Sequence, residues 1–200
     1  MRRLAGDADP LPQGVAAASA QLDNARIATE CLDESIAALQ RLQSLLDAET
    51  FGRAVHLMQR ADSIWLLGSQ WSFPIAACLE YALRHTDKRV GLISGLGGMQ
   101  LGEARSIRRG DLLIAISCAP HAPQTLEILE DARRLGASLI AITDSLIGQL
   151  PDLADCCLVV QDRSRFGFRS LTSTLGLAQS LFLALAYRLE LQPTPGTQAG

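Results

Sequence analysis

DLLIAISCAPHAPQT, residues 111–125, decides how this chain folds. Leu112 to Ile116 is an unbroken apolar run, short enough for a strand and apolar on both faces. That is the pattern of a strand buried between two layers. The run breaks into Ser117, Cys118, Ala119, Pro120, His121 and Ala122, and Pro123 stands where a helix can begin. Leu126, Ile128, Leu129, Ala132 and Leu135 then follow at helical spacing. A buried strand running through a polar loop into a helix N-terminus is where parallel α/β sheets bind anions and small ligands. Free backbone N–H groups and the positive helix end meet there.

Working outward, the same grammar repeats. Ser63 to Leu67, Arg89 to Ile93, Ser138 to Ile142 and Cys156 to Val160 read as further strands. Helices are expected through Ile75 to Leu83, in a short piece through Leu101 and Ala104, and from about Ser170 to Leu189. A short turn is expected at Leu150–Leu153. Alternating strands and helices imply an α/β fold: a three-layer sandwich around a five-stranded, parallel, doubly wound, flavodoxin-like sheet. A long apolar stripe from about Val15 to Leu46, with a second helix from Thr50 to Arg60, precedes it as a long N-terminal helical segment. The expected organisation is a flexible lead at 1–14, a helical linker or dimerisation segment at 15–60, the α/β domain at 61–190 and a disordered tail at 191–200.

Composition narrows the function. The 200 residues are 48% hydrophobic and carry a net charge of −3 with no basic block, so the chain itself offers no nucleic-acid surface. Aromatics at 4% argue against a base-stacking platform. No apolar run reaches membrane-spanning length and no signal peptide is visible, so a cytoplasmic location without membrane contact is expected. The five cysteines, Cys31, Cys78, Cys118, Cys156 and Cys157, read as reduced, mostly buried thiols. Adjacent Cys156 and Cys157 point to opposite faces of a strand.

The loops after the strands share one edge of the sheet, and two of them match. GSQWS (68–72) places two hydroxyls and an amide between a strand and a helix, suited to a phosphate or a sugar or, more plainly, to Ser72 capping the next helix. In SCAPHAPQT (117–125), Thr125 falls in the first helical turn, where hydroxyl and N–H face an incoming anion or simply cap. His121 is a ligand contact, a general base or a surface residue. SGLGG (94–98) lacks the spacing of a dinucleotide fingerprint and reads as a flexible loop, and Asp144 as a turn former. No nucleophile elbow occurs, and His56, His85 and His121 show no metal-ligand spacing. No catalytic residue, metal or cofactor is therefore assigned.

With these residues in place, the chain resembles the SIS (sugar isomerase) domain family over about 61–189, in particular the sugar-phosphate-sensing half of RpiR-type bacterial transcriptional regulators. GSQWSFPIA, GDLLIAIS, LGASLIAITDS and LADCCLVV carry the likeness, and residues 32–68 look like the linker helices of those regulators. The family's common second loop reads Ser-x-Ser-Gly-x-Thr. Here Ala119-Pro120-His121 replaces its Ser-Gly centre, similar to a sub-branch with a Pro and an aromatic residue. The resemblance implies a sugar phosphate bound by Ser69, Ser72, Ser117 and Thr125, with Gln70, His121 and Gln124 beside them. It also implies a homodimer or tetramer, and contact with DNA only through a helix-turn-helix domain, for which there is no room before residue 15. The alternative it leaves open is an aldose–ketose isomerase acting on a sugar phosphate, for which Glu103, His121 and Glu80 are the candidate bases.

Overall fold

A computed structural model describes residues 24–165 and 168–190. The expectations for the lead at 1–14, the helix start at 15–23 and the tail at 191–200 fall outside them. The helices are α1 (Asn24–Leu45), α2 (Ala48–Arg60), α3 (Phe73–Leu83), α4 (Gln100–Ala104), α5 (Pro123–Leu135), α6 (Gln149–Leu153) and α7 (Thr172–Glu190). The strands of the main sheet are β1 (Ser63–Gly68), β2 (Arg89–Ile93), β3 (Leu112–Ile116), β4 (Ser138–Thr143) and β5 (Cys156–Val159).

All five strands are parallel, in the order β2-β1-β3-β4-β5. The apolar run Leu112–Ile116 is β3, at the centre, with every residue buried. Its side chains alternate between two cores, as the two-residue period of a strand requires. Leu112, Ile114 and Ile116 join Ile64, Leu66, Ile140 and Ile142 against α2, α3 and α7. Leu113 and Ala115 join Leu67, Leu139 and Ala141 against α5 and α6. Both faces are therefore covered, which is why β3 tolerates no polar residue. Cys156 and Cys157 fall into the two different cores, as their adjacency predicts.

The order of strands places the switch point between β1 and β3. From β1 the chain turns to β2 on one side, then crosses back to β3 on the other. The loops after β1 and β3 thus lead away from each other and leave a crevice between them, the place where open α/β sheets take ligands.

Between β5 and α7, Ser164–Arg165 (β6) and Phe168–Arg169 (β7) pair as an antiparallel hairpin. Two-residue strands carry too little alternation to be legible. The thiols are free, but they are not mostly buried: Cys31 is exposed, Cys78, Cys118 and Cys157 are half-buried, and only Cys156 is buried. Residues 150–153 belong to a helical turn, α6. No helix among the described residues is long and apolar enough to cross a membrane.

Candidate functional site

At the switch point lies a cleft of about 290 Å³ lined from three successive loops. Gly68, Ser69, Gln70 and Phe73 come from the end of β1 and the start of α3, Ser94 and Gln100 from the loop after β2, and Ala122 and Gln124 from the start of α5. Among the expected site residues, Ser69, Gln70 and Gln124 line it; Ser72, Ser117, His121 and Thr125 do not.

The first loop is a single 3-10 turn, Gln70–Ser72, closed by the Ser72 N–H donating to the Ser69 carbonyl at 2.9 Å. Ser72 precedes α3, yet its side chain makes no capping bond, so the plain capping reading of that serine does not hold. Gln70 adopts φ 50°, a left-handed conformation unusual for a residue other than glycine.

The second loop carries a cis Ala119–Pro120 peptide bond. Ser117 Oγ and His121 Nδ1 lie 2.9 Å apart, and the Ser117 N–H donates to the Ile142 carbonyl at 3.0 Å. Thr125 is 3% exposed and its N–H donates to the Ala122 carbonyl at 2.9 Å, so its hydroxyl rather than its amide is left for a ligand. Helix geometry leaves the Gln124 N–H without an acceptor inside α5, and the residue before Pro123, Ala122, supplies no side-chain cap.

The distribution of caps across the molecule is informative. Asp47 caps α2, accepting from the Thr50 N–H at 2.7 Å. Asp162 closes α7 with both oxygens, accepting from the N–H and hydroxyl groups of Ser173 and Thr174. The helices that begin at the cleft, α3 and α5, have no side-chain cap. The short helices α4 and α6 also start without a side-chain cap, whereas the starts of α2 and α7 are met by carboxylates.

Sequence reading misses two parts of this edge. Glu103 accepts from the Ser94 hydroxyl at 2.7 Å and the Gly95 N–H at 2.9 Å, pinning the glycine-rich loop that composition alone suggests is flexible. That loop holds left-handed φ at Gly95, Gly97 and Gly98, and it brings Ser94 and Gln100 into the cleft lining. Asp144 does more than form a turn. It accepts from the Ala119 N–H at 3.0 Å and from both terminal nitrogens of Arg169 at 3.2 Å, tying the β3 loop to the hairpin.

Burial pushes the Asp144 carboxyl up, but the Ala119 N–H and the Arg169 guanidinium outweigh it and hold it below the ordinary value of 3.8. A carboxyl whose folded value is depressed adds stability above its unfolded value, and that stability is lost as pH falls through the folded one. The stability difference between wild type and Asp144→Asn is therefore expected to be full at neutral pH and to shrink below about pH 4. Urea unfolding at stepped pH measures it. Burial likewise pushes the Cys118 thiol up, with Arg169 pulling partly against it.

Comparison with known proteins accords with this geometry. The chain is 27% identical over 129 residues to an uncharacterized protein of Archaeoglobus fulgidus, 64% of this chain and 66% of that one. It is 32% identical over 117 residues to the bifunctional protein glk of Paraburkholderia xenovorans, 57% of this chain but 18% of that one. The chain thus spans less than two thirds of these relatives.

Among solved structures, the sugar isomerase domain of an RpiR transcription factor from Sphaerobacter thermophilus matches with a TM-score of 0.77 at 23% identity, covering 82% of this chain and 91% of that one. Vibrio vulnificus NanR complexed with ManNAc-6P gives 0.71 at 19% identity, covering 89% and 67%. Phosphoheptose isomerase GmhA from Neisseria gonorrhoeae gives 0.66 at 19%, covering 80% and 97%. At these identities the likeness is one of fold. The SIS domain model matches residues 57–186, which contain the whole five-stranded sheet and the cleft at its switch point, and the chain belongs to the SIS domain family.

Proposed function

We propose that this chain binds a sugar phosphate without transforming it, as the ligand-sensing and dimerising part of an RpiR-type transcriptional regulator of the cytoplasm. The observation that carries this reading is the cleft at the switch point, lined by Ser69 and Ser94 and by the uncapped starts of α3 and α5. A phosphate seated there takes the place of the missing caps, with Ser69, Ser72, Ser117 and Thr125 donating. With the ring proton on His121 Nδ1, Ser117 Oγ accepts from the imidazole and its own hydroxyl proton is left for the ligand. DNA is reached only through a helix-turn-helix module that is not among these residues.

The long helix α1 buries only Ala38 and exposes Leu32, Ile36 and Leu45, each more than half accessible. We assign that stripe, residues 24–60 with α2, to contact with a second copy. A ligand that fits one dimer arrangement better than another shifts the population between them, and through it the DNA-binding module.

A ligand at 100 times its Kd adds about 2.7 kcal/mol of stability, which for a domain of this size raises Tm by roughly 5–10 °C. A thermal shift of that size is expected from at least one member of a panel of sugar phosphates. The double variant Ser117→Ala with Thr125→Ala removes two charge-assisted bonds of about 1.5–3 kcal/mol each and is expected to weaken binding by at least ~100-fold. Binding that survives the double substitution would sink this placement of the phosphate.

The isomerase reading keeps one observation in its favour, an imidazole held beside Ser117 in the loop after β3. Its other candidate bases are engaged: Glu103 holds the loop after β2 and Glu80 pairs with Arg84. Turnover of a sugar phosphate that is lost in His121→Ala would establish it.

A further inference from the structure

The sugar-phosphate reading places the phosphate but leaves open what kind of sugar carries it. The lining of the cleft speaks to that. Three glutamines line it, Gln70 in the turn after β1, Gln100 at the start of α4 and Gln124 at the start of α5. Each carboxamide carries an acceptor oxygen and two donor hydrogens, the complement of a hydroxyl that both donates and accepts. Among the described residues, none that lines the cleft is charged. Of the carboxylates on this edge, Glu103 is already satisfied by the Ser94 hydroxyl and the Gly95 N–H, and Asp144 by the Ala119 N–H and Arg169.

Two backbone features serve these side chains. Gln70 holds a left-handed φ of 50°, a conformation that costs an L-residue with a long side chain and that glycine would take freely. Retaining glutamine at the tip of that turn, against the backbone preference, fits a carboxamide needed at that point. Gly95 supplies space for the second one: a Cβ there would stand 2.6 Å from Gln100 Cγ and 2.8 Å from its Nε2.

We propose that Gln70, Gln100 and Gln124 read the hydroxyl-bearing part of the ligand, and that the site selects sugars with no charged group besides the phosphate. This rests on the sugar-phosphate reading. A sugar acid would bury a second anionic group with no cationic side chain in the lining to meet it, and an amino sugar an ammonium with no carboxylate there.

Calorimetry on the full chain tests the selection with fructose 6-phosphate, sorbitol 6-phosphate, glucose 6-phosphate, 6-phosphogluconate, glucosamine 6-phosphate and inorganic phosphate. The tightest neutral ester is expected to bind at least about tenfold more tightly than the acid and the amine, one unpaired charge being enough for that. Gln70→Ala and Gln100→Ala are expected to weaken the neutral ester about tenfold, the loss of one hydrogen bond, while inorganic phosphate binds each variant as it binds wild type. Gln70→Gly is expected to raise Tm while weakening the same ester, a split that a merely structural glutamine does not produce. Equal affinity for the acid or the amine overturns the inference, as do glutamine variants that leave the ester unaffected or weaken phosphate equally. Absence of any sugar-phosphate binding removes the underlying reading as well, so the two failures are told apart.

Discussion

Asp162→Ala is expected to lower the stability of the domain by about 3 kcal/mol, the sum of a lost helix cap and of buried donors left without an acceptor. Asp162 follows β5 and meets the N-terminus of α7 with both carboxylate oxygens. Oδ1 accepts from the Ser173 N–H at 3.1 Å and its hydroxyl at 2.6 Å; Oδ2 accepts from the Thr174 N–H at 3.0 Å and from its hydroxyl. Ser173 is fully buried and Thr174 is 4% exposed, so water is poorly placed to replace the carboxylate. Helix α7 supplies Leu177, Ala178, Leu181 and Leu185 to one of the two cores, and fraying at its start loosens that core. A fall in Tm of roughly 6–12 °C is expected for a chain of this size, read by calorimetry or circular dichroism. Asp162→Asn keeps one acceptor and is expected to lose about half as much.

Gly68→Ala is expected to damage both fold and cleft. Gly68 ends β1 beside Ile116 of β3, and its φ is ordinary. Its requirement is space: a Cβ there would stand 2.6 Å from the Ser72 carbonyl oxygen, 2.9 Å from the carbonyl carbon and 3.0 Å from Ala76 Cβ. Two of those three atoms are backbone, which cannot swing aside as a side chain does. Overpacking of this kind costs about 1–3 kcal/mol. The relief available is a shift of the turn 70–72, which carries Ser69 and Gln70 away from the cleft. Sugar-phosphate affinity is expected to fall at least about tenfold, since more than one hydrogen bond moves with the turn. A Gly68→Ala variant with unchanged stability and unchanged affinity would mean that this close approach has no consequence.

Much of this is legible in residue order. The central strand announces itself because five consecutive apolar residues can be buried only between two layers, and Leu112 to Ile116 are all buried. GSQWS and SCAPHAPQT stand out because a strand that ends in hydroxyls before a helix is a local pattern, complete within ten residues. The less legible parts depend on which loops become neighbours. Asp144 reaches Ala119 and Arg169, each 25 residues away in sequence, only because β4 lies beside β3 and β5 and the hairpin folds back. Periodicity reports the faces of a strand and says nothing of its neighbours.

Gln100 escapes a reading of the sequence for a related reason. The glycines before it suggest a loose loop, and the Glu103 carboxylate that fixes that loop lies on the following helix. Thr125 shows the opposite error: a first-turn threonine is expected to offer both its groups, whereas its N–H is turned back onto Ala122.

The central claim is that a sugar phosphate binds between the loops after β1 and β3, and amide chemical-shift mapping tests it most directly. The full chain, labelled with nitrogen-15, is titrated with the tightest-binding ester of the panel. The account predicts that the largest shifts fall on 69–73, 94–100 and 117–125. Shifts concentrated instead on the groove between α1 and α7, around Ile36, Leu39 and Gly176, or no saturable shifts with any sugar phosphate, would contradict it.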